Sequence, residues 1–177
     1  MRTLLLAVAG AVIVAPGSTR PAPVSPVTLL PLETSFDLLV HAPYAEAAPL
    51  FGPEGERAWA GSDWDPAFVY PQPARDQQGA VFTVHKGSAT TVWVNTLLDR
   101  EARHFQYVYF RPEIMVTVID VRFEPADADS TTVHVNYART ALTIEGNEHV
   151  AAMSEHDKKA GTEWQQAINA YLAGRKH

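Results

Sequence analysis

The hydrophobic period of this chain changes once, near residue 147, and that change limits the folds open to it. Upstream, Ala80 to Lys86, Thr90 to Thr96, Arg103 to Phe110, Ile114 to Phe123 and Thr131 to Thr143 are rich in Val, Thr, Phe and Tyr. They read as strands. The turns between them are short and polar: Gly87-Ser88, Asp99-Arg100, Arg111-Pro112-Glu113 and Asp127-Ala128-Asp129-Ser130. Strands joined so briefly pair antiparallel, as a meander. From Asn147 to Ala173 the spacing becomes helical. Val150, Met153, Asp157, Ala160, Trp164, Ile168 and Tyr171 recur at three- and four-residue intervals along one face. Asn147 after Gly146 predicts the N-cap, and Gly174 with Arg175 and Lys176 predicts the end. Such a helix is ~40 Å long at 1.5 Å per residue. A strand of about eleven residues spans ~36 Å. One helix can therefore lie across the whole width of a curved sheet.

Ahead of the meander, Thr34 to His41 reads as a first strand stopped by Pro43. Tyr44 to Phe51 and Glu54 to Ala60 read as two short helices, punctuated by Gly52 and Pro53. Gly61-Ser62-Asp63-Trp64-Asp65-Pro66 is a turn-rich loop. The order is strand, two short helices, five strands, long helix. A length of 177 residues, 46% hydrophobic and 19% charged, suits one globular domain. The net charge of −6 argues against a nucleic-acid partner, which calls for a basic stripe. With no Cys, disulfides, iron–sulfur clusters, thiol nucleophiles and Cys-ligated zinc are excluded.

The first residues follow a different logic. Arg2 precedes an unbroken run of apolar or Gly residues from Leu4 to Ala15, and no acidic residue occurs before Glu33. Twelve residues suit the apolar region of a secretory signal and fall short of the ~20 that span a bilayer. Ala15-Pro16-Gly17 is a small-residue pattern before Ser18. The expectation is a signal peptide over 1–17 and an exported, periplasmic or secreted protein with no membrane span after cleavage. An uncleaved signal anchor is the alternative. Pro16, Pro21, Pro23, Pro26 and Pro31 make 18–33 an extended tether, leaving 34–177 as the folded domain.

Several local patterns carry a family resemblance. They are Leu50-Phe51-Gly52-Pro53-Glu54-Gly55-Glu56-Arg57-Ala58-Trp59, Trp64-Asp65-Pro66, Gly79-Ala80-Val81-Phe82 and Thr91-Val92-Trp93-Val94. Tyr137 to Leu142 with Glu145-Gly146-Asn147, and Trp164 with Ala167-Ile168 and Tyr171-Leu172, complete the set. In this order and spacing, over about 34–173, the chain resembles the SRPBCC superfamily, also called START-like or Bet v 1-like, which includes polyketide cyclases and aromatases. One departure is Ser62-Asp63, inserted where the family pattern runs from Gly directly to Trp. The resemblance implies an α+β helix-grip fold: a curved antiparallel sheet of six or seven strands around the C-terminal helix, with a cavity between. It implies apolar small-molecule ligands such as lipids, sterols or polyketides, and in some relatives cyclisation or dehydration. It supplies no catalytic motif that transfers residue by residue, so fold does not supply function.

Aromatic residues alternate along the predicted strands and recur on the helix face. Trp93, Tyr107, Tyr137, Met153 and Trp164 are the expected cavity lining. The bland alternative is that each fills a core, and a one-residue slip in register reverses every strand face. Arg139 follows Val133, Val135 and Tyr137. Either a bulge turns it to solvent, or it lies in the cavity and holds a ligand carboxylate. His85 and His134 are weak acid–base candidates, conditional on facing the cavity. No HExxH pair occurs, and His149 and His156 lie ~10 Å apart along the helix, so no metal site and no cofactor are expected. No Gly-rich phosphate loop or GxSxG elbow occurs. The Trp59 to Pro66 loop closes a cavity mouth, meets a membrane surface or anchors onto its own domain. Three functions stay open: an exported binder of an apolar or amphipathic small molecule, a cavity enzyme of cyclase, dehydratase or hydrolase type, and a protein-interaction module with a filled interior. Oligomeric state is not readable.

Overall fold

The structure, a computed structural model, describes residues 29 and 31–175. The signal expected over 1–17, most of the tether expected over 18–33, and Lys176 and His177 lie outside the described residues. Seven strands form one antiparallel sheet. They are β1 (Pro31–Val40), β2 (Ala67–Tyr70), β3 (Val81–Lys86), β4 (Ala89–Asp99), β5 (His104–Arg111), β6 (Met115–Pro125) and β7 (Thr131–Ala141). Their spatial order is β1-β7-β6-β5-β4-β3-β2. Strands β2 to β7 are a meander, and β1 closes onto its last member. A helical turn α1 (Tyr44–Ala47), a 3-10 turn (Ala48–Phe51) and a second short helix α2 (Pro53–Glu56) follow β1. The long helix α3 (Ile144–Gly174) ends the domain.

Several boundaries differ from the sequence pattern, among them α2, which ends at Glu56 rather than Ala60, and β4, which runs to Asp99 rather than Thr96; three differences have a clear local reason. β1 starts at Pro31 rather than Thr34, because Pro31, Leu32 and Glu33 already pair with Thr140, Arg139 and Ala138 of β7. An edge strand tolerates a proline whose missing donor faces outward. β2 is not predicted by alternation: it has four residues and a register irregularity between Phe68 and Tyr70. α3 starts at Ile144, not Asn147. Thr143 is extended, and its hydroxyl accepts from the Gly146 amide at 3.1 Å, so Thr143 is the N-cap. Gly146 reads as a helix breaker in sequence but serves packing: a Cβ there would lie 2.1 Å from the Ile114 carbonyl oxygen.

The register of β5, β6 and β7 runs without interruption. It sets inward-facing rows across the sheet: Phe105–Val121–Val135, Tyr107–Ile119–Tyr137 and Tyr109–Thr117–Arg139. All nine side chains are buried. Arg139 thus continues the inward series with no bulge, which rules out the alternative in which it turns to solvent.

α3 packs chiefly on β1 and β7. Val150, Ala160, Ile168 and Leu172 are its buried apolar contacts. Its polar side chains also satisfy the edge of β1. The Leu39 amide donates to Gln165 Oε1 and the His41 amide to Asn169 Oδ1, each at 2.8 Å, while Asn169 Nδ2 donates to the Leu39 carbonyl. An edge that would otherwise be open to strand pairing is covered in this way. Among the described residues, no helix is long and apolar enough to cross a membrane.

Candidate functional site

Because α3 leans on β1 and β7, the inner face of β3 to β6 is left uncovered by the helix. The segment from Phe51 to Trp64 crosses over it. Its path is fixed by backbone packing and partly buried hydrogen bonds. Asp76 Oδ1 accepts from the Glu54 amide at 3.1 Å, holding the start of α2. Gly55 sits where a Cβ would meet the Pro49 carbonyl oxygen at 1.8 Å, so only glycine permits this tight approach. Trp59 Nε1 donates to the Leu50 carbonyl at 2.7 Å and Trp64 Nε1 to the Pro53 carbonyl at 3.0 Å. Both tryptophans anchor the loop, and both also wall the space beneath it.

That space is a cavity of about 370 Å³. Its sheet side is Phe82, Trp93, Tyr107, Ile119, Val121 and Tyr137, and its helix side is His156, Glu163, Trp164 and Ala167. Phe51, Pro53, Glu56, Trp59, Ala60 and Trp64 complete it. All four tryptophans of the chain line it. They meet in edge-on pairs, Trp59 with Trp164 at 5.2 Å and Trp64 with Trp93 at 5.3 Å between centroids. Trp93 also stacks on Tyr109 at 4.5 Å. Interlocked rings of this kind hold one another in place and keep the wall rigid.

Three polar groups sit within the apolar wall. Burial pushes the Glu56 carboxyl up from the usual 4.5 to about 8, and the nearby Asp76 carboxylate adds to the shift. Tyr107 donates to the Phe51 carbonyl at 2.6 Å, and its pKa is raised well above the usual phenol value, first by burial and then by Glu56 and Asp76. Tyr137 is raised by burial first, then by Asp157 and Glu56, with Arg139 opposing. His156 and Glu163 are exposed at the helix rim. Arg and Lys are absent from the lining.

Glu56 makes stability fall with pH. Its folded pKa lies above its unfolded one, so between about 4.5 and 8 the native state holds a proton that the unfolded chain has lost. Stability drops across that window and is flat above it. Glu56→Gln removes the slope. The variant is expected to match the parent near pH 4 and exceed it by about 2–3 kcal/mol at pH 9. The side chain keeps some accessible surface, which holds the gain below the full linkage value. Urea unfolding at the two pH values measures this, and equal stability at pH 9 would contradict a buried Glu56.

The expected lining residues divide. Trp93, Tyr107, Tyr137 and Trp164 converge on the cavity. Met153 lies one step outside: Tyr109 donates its hydroxyl to Met153 Sδ at 3.4 Å, and Met153 lines an adjoining open cleft that shares Trp64 and Trp93. Arg139 is inward but occupied. Its Nη2 donates to Asp157 Oδ1 at 3.0 Å, its Nη1 donates to Asp157 Oδ2, and its guanidinium lies 4.3 Å over the Tyr137 ring. Its charge is therefore already matched by a protein carboxylate. The two histidine candidates do not face the cavity. His85 is exposed in the β3–β4 hairpin against Thr90 Oγ1 at 2.9 Å. His134 lies on the outer face between Asp37 at 2.7 Å and Glu124 at 3.5 Å, with its pKa raised mainly by Asp37. Sequence reasoning missed Glu56, His156 and Glu163, although Glu56 sits inside a segment already singled out. Among the described residues, no group of three or more His, Asp or Glu could hold a metal ion.

No family model and no curated protein matches the chain. Solved structures do. A Thalictrum flavum norcoclaurine synthase point mutant, in complex with a transition-state analogue, aligns with a TM-score of 0.63 at 13% identity. The alignment covers 85% of this chain and 99% of that one. The same enzyme in complex with dopamine and hydroxybenzaldehyde aligns at 0.62 and 12% identity, over 84% of this chain and 90% of that one. The di-domain ARO/CYC protein BexL, of the BE-7585A biosynthetic pathway, aligns at 0.57 and 16% identity, over 80% of this chain and 46% of that one. The likeness is one of fold: this chain's curved antiparallel sheet closed by a long C-terminal helix is the helix-grip arrangement that the sequence resemblance implies.

Proposed function

We propose that this chain is an exported protein that binds a small aromatic or otherwise apolar molecule in the cavity between sheet and helix. The observation that carries the reading is the cavity itself: about 370 Å³, walled by all four tryptophans, with a carboxyl and two phenols inside it. A volume of this order lies at the small end of ligand pockets. Burying ~300 Å² of apolar ligand surface gives roughly 7 kcal/mol gross. Association costs of at least ~4 kcal/mol oppose it. Burial alone thus supports weak binding, and the polar groups add selectivity. The ligands of the norcoclaurine synthase complex, dopamine and hydroxybenzaldehyde, are of a fitting size class. An unfilled interior weighs against the interaction-module reading.

A catalytic version of this reading has one observation in its favour: a cavity carboxyl with a pKa of about 8 beside Tyr107 can both give and take a proton near neutral pH. Export rests on the sequence pattern of the first 17 residues, and a protein recovered from cells with Ser18 as its first residue would support it. Met1 retained on soluble protein would overturn it. Binding is tested by native mass spectrometry of protein purified from its own cells, before and after organic extraction. The expected result is a small-molecule adduct that extraction removes. An adduct-free mass, together with no tryptophan fluorescence change across a panel of small aromatics, would sink the reading.

A further inference from the structure

We propose that the cavity selects organic cations, seating a ligand's ammonium group on the Glu56 carboxylate inside the tryptophan wall. The proposal rests on the small-molecule reading above and adds the charge class of the ligand.

The first support is the balance of charge. Glu56 and Glu163 line the cavity, Asp76 stands behind Glu56, and no Arg or Lys lines it. His156, at the rim, is the one basic group of the lining. The cations nearby are committed elsewhere. Arg139 is paired with Asp157 through both Nη nitrogens. Arg57, on the helix that carries Glu56, bonds Glu54 at 3.1 Å and Asp65 at 2.5 Å. Arg100 lies over the Phe105 ring and acts on Asp76 and Tyr107 from outside the cavity, without lining it. An anionic ligand would meet carboxylates without a free counter-ion.

The second support is what Glu56 lacks. Tyr107 faces the same corner but donates its hydroxyl hydrogen bond to the Phe51 carbonyl. Tyr137 and Asp76 bring no positive charge. A buried carboxylate without a cationic partner is disfavoured, which is why the group holds its proton to about pH 8. A cation supplies the missing partner. The third support is the wall. Ring faces of Trp attract cations more strongly than other aromatics, and the edge-on pairs Trp59–Trp164 and Trp64–Trp93 present faces and edges around one space.

Binding then has a proton balance. The Glu56 carboxyl releases one proton to solvent and the resulting carboxylate pairs with the ligand cation. No bond to the ligand forms. Affinity for a permanently charged cation should rise by up to about tenfold per pH unit below the carboxyl pKa and level above it.

The test uses the full chain and three probes of similar shape. Benzyltrimethylammonium carries a charge that does not titrate, neopentylbenzene is its uncharged isostere, and 3-phenylpropionate is an anion. Tryptophan fluorescence and melting temperature report binding at pH 6 and pH 9. The expected result is that the cation binds at least about tenfold tighter than the neutral isostere at pH 9. Its own affinity should fall about tenfold or more at pH 6. Glu56→Gln should abolish that pH dependence and weaken the cation, while the neutral isostere binds as before. His156→Gln should keep the pH dependence. Neutral or anionic probes binding as tightly as the cation would overturn the charge class and leave the small-molecule reading standing, as would unchanged cation affinity in Glu56→Gln. If no probe moves either signal, the charge class falls, and the small-molecule reading falls with it when the native mass is also adduct-free.

Discussion

Asp157→Ala is expected to cost about 3–5 kcal/mol of folding stability, read as a drop in urea midpoint with little change in slope. The reason is the charge it leaves behind. Arg139 is 2% exposed and Asp157 5%. Removing the carboxylate strands a guanidinium inside the sheet, where no other described carboxylate is in ion-pair range of it. Thr34 also loses the acceptor for its hydroxyl. Three elements lose a shared point at once, because Thr34 lies on β1, Arg139 on β7 and Asp157 on α3. The double variant Arg139→Met with Asp157→Leu discriminates the mechanism. It removes both charges and keeps apolar volume, so it should recover most of the loss. A single variant within about 1 kcal/mol of the parent would mean that the pair is not buried as described.

That pair also marks the limit of what the sequence conveys. The meander was legible because Gly87-Ser88 and Arg111-Pro112-Glu113 are short polar breaks between β-rich runs. The helix was legible because Val150, Ala160, Trp164 and Ile168 keep one face. Period two fixes parity along β7: Val133, Val135, Tyr137, Arg139 and Ala141 share a side, and His134 takes the other. That parity, followed without a bulge, turns Arg139 inward and His134 outward. What it cannot give is Asp157, 18 residues on and in another element. A charge on an inward row looks like an error until its partner is found, and only the packing of α3 on β7 brings the partner.

The candidate site shows the same division. Tyr107 and Tyr137 sit on one row because Ile119 pairs with both. Aromatic alternation alone was enough to put them on the wall. Glu56 was not legible. Short helices carry no hydrophobic period to orient them. The placement of α2 depends on Asp76 reaching back 22 residues to the Glu54 amide. Its environment is then set by Tyr107 and Asp76, which come from separate parts of the chain. Met153 was placed on the correct helix face but lies just outside the cavity, against Tyr109.

Trp164→Ala should cost about 3 kcal/mol, the low end of the range for an aromatic truncation, because part of the ring faces the cavity rather than protein. The indole packs edge-on against Phe36 at 5.3 Å and against Trp59 at 5.2 Å. It is therefore the point where α3 touches both β1 and the segment that roofs the cavity. Losing it opens the cavity wall and loosens Trp59, so ligand affinity should fall together with melting temperature. Trp164→Phe separates the two effects. A phenyl ring keeps the contact with Phe36 and restores most of the stability, but it presents a smaller face to the cavity and restores less of the binding. A Trp164→Ala protein that melts like the parent would mean that the helix is held by its apolar contacts and by Asp157 alone. The roof would then owe its position to the hydrogen bonds of Trp59 and Trp64. Binding would still weaken in that case, because the wall would have lost one of its four indoles.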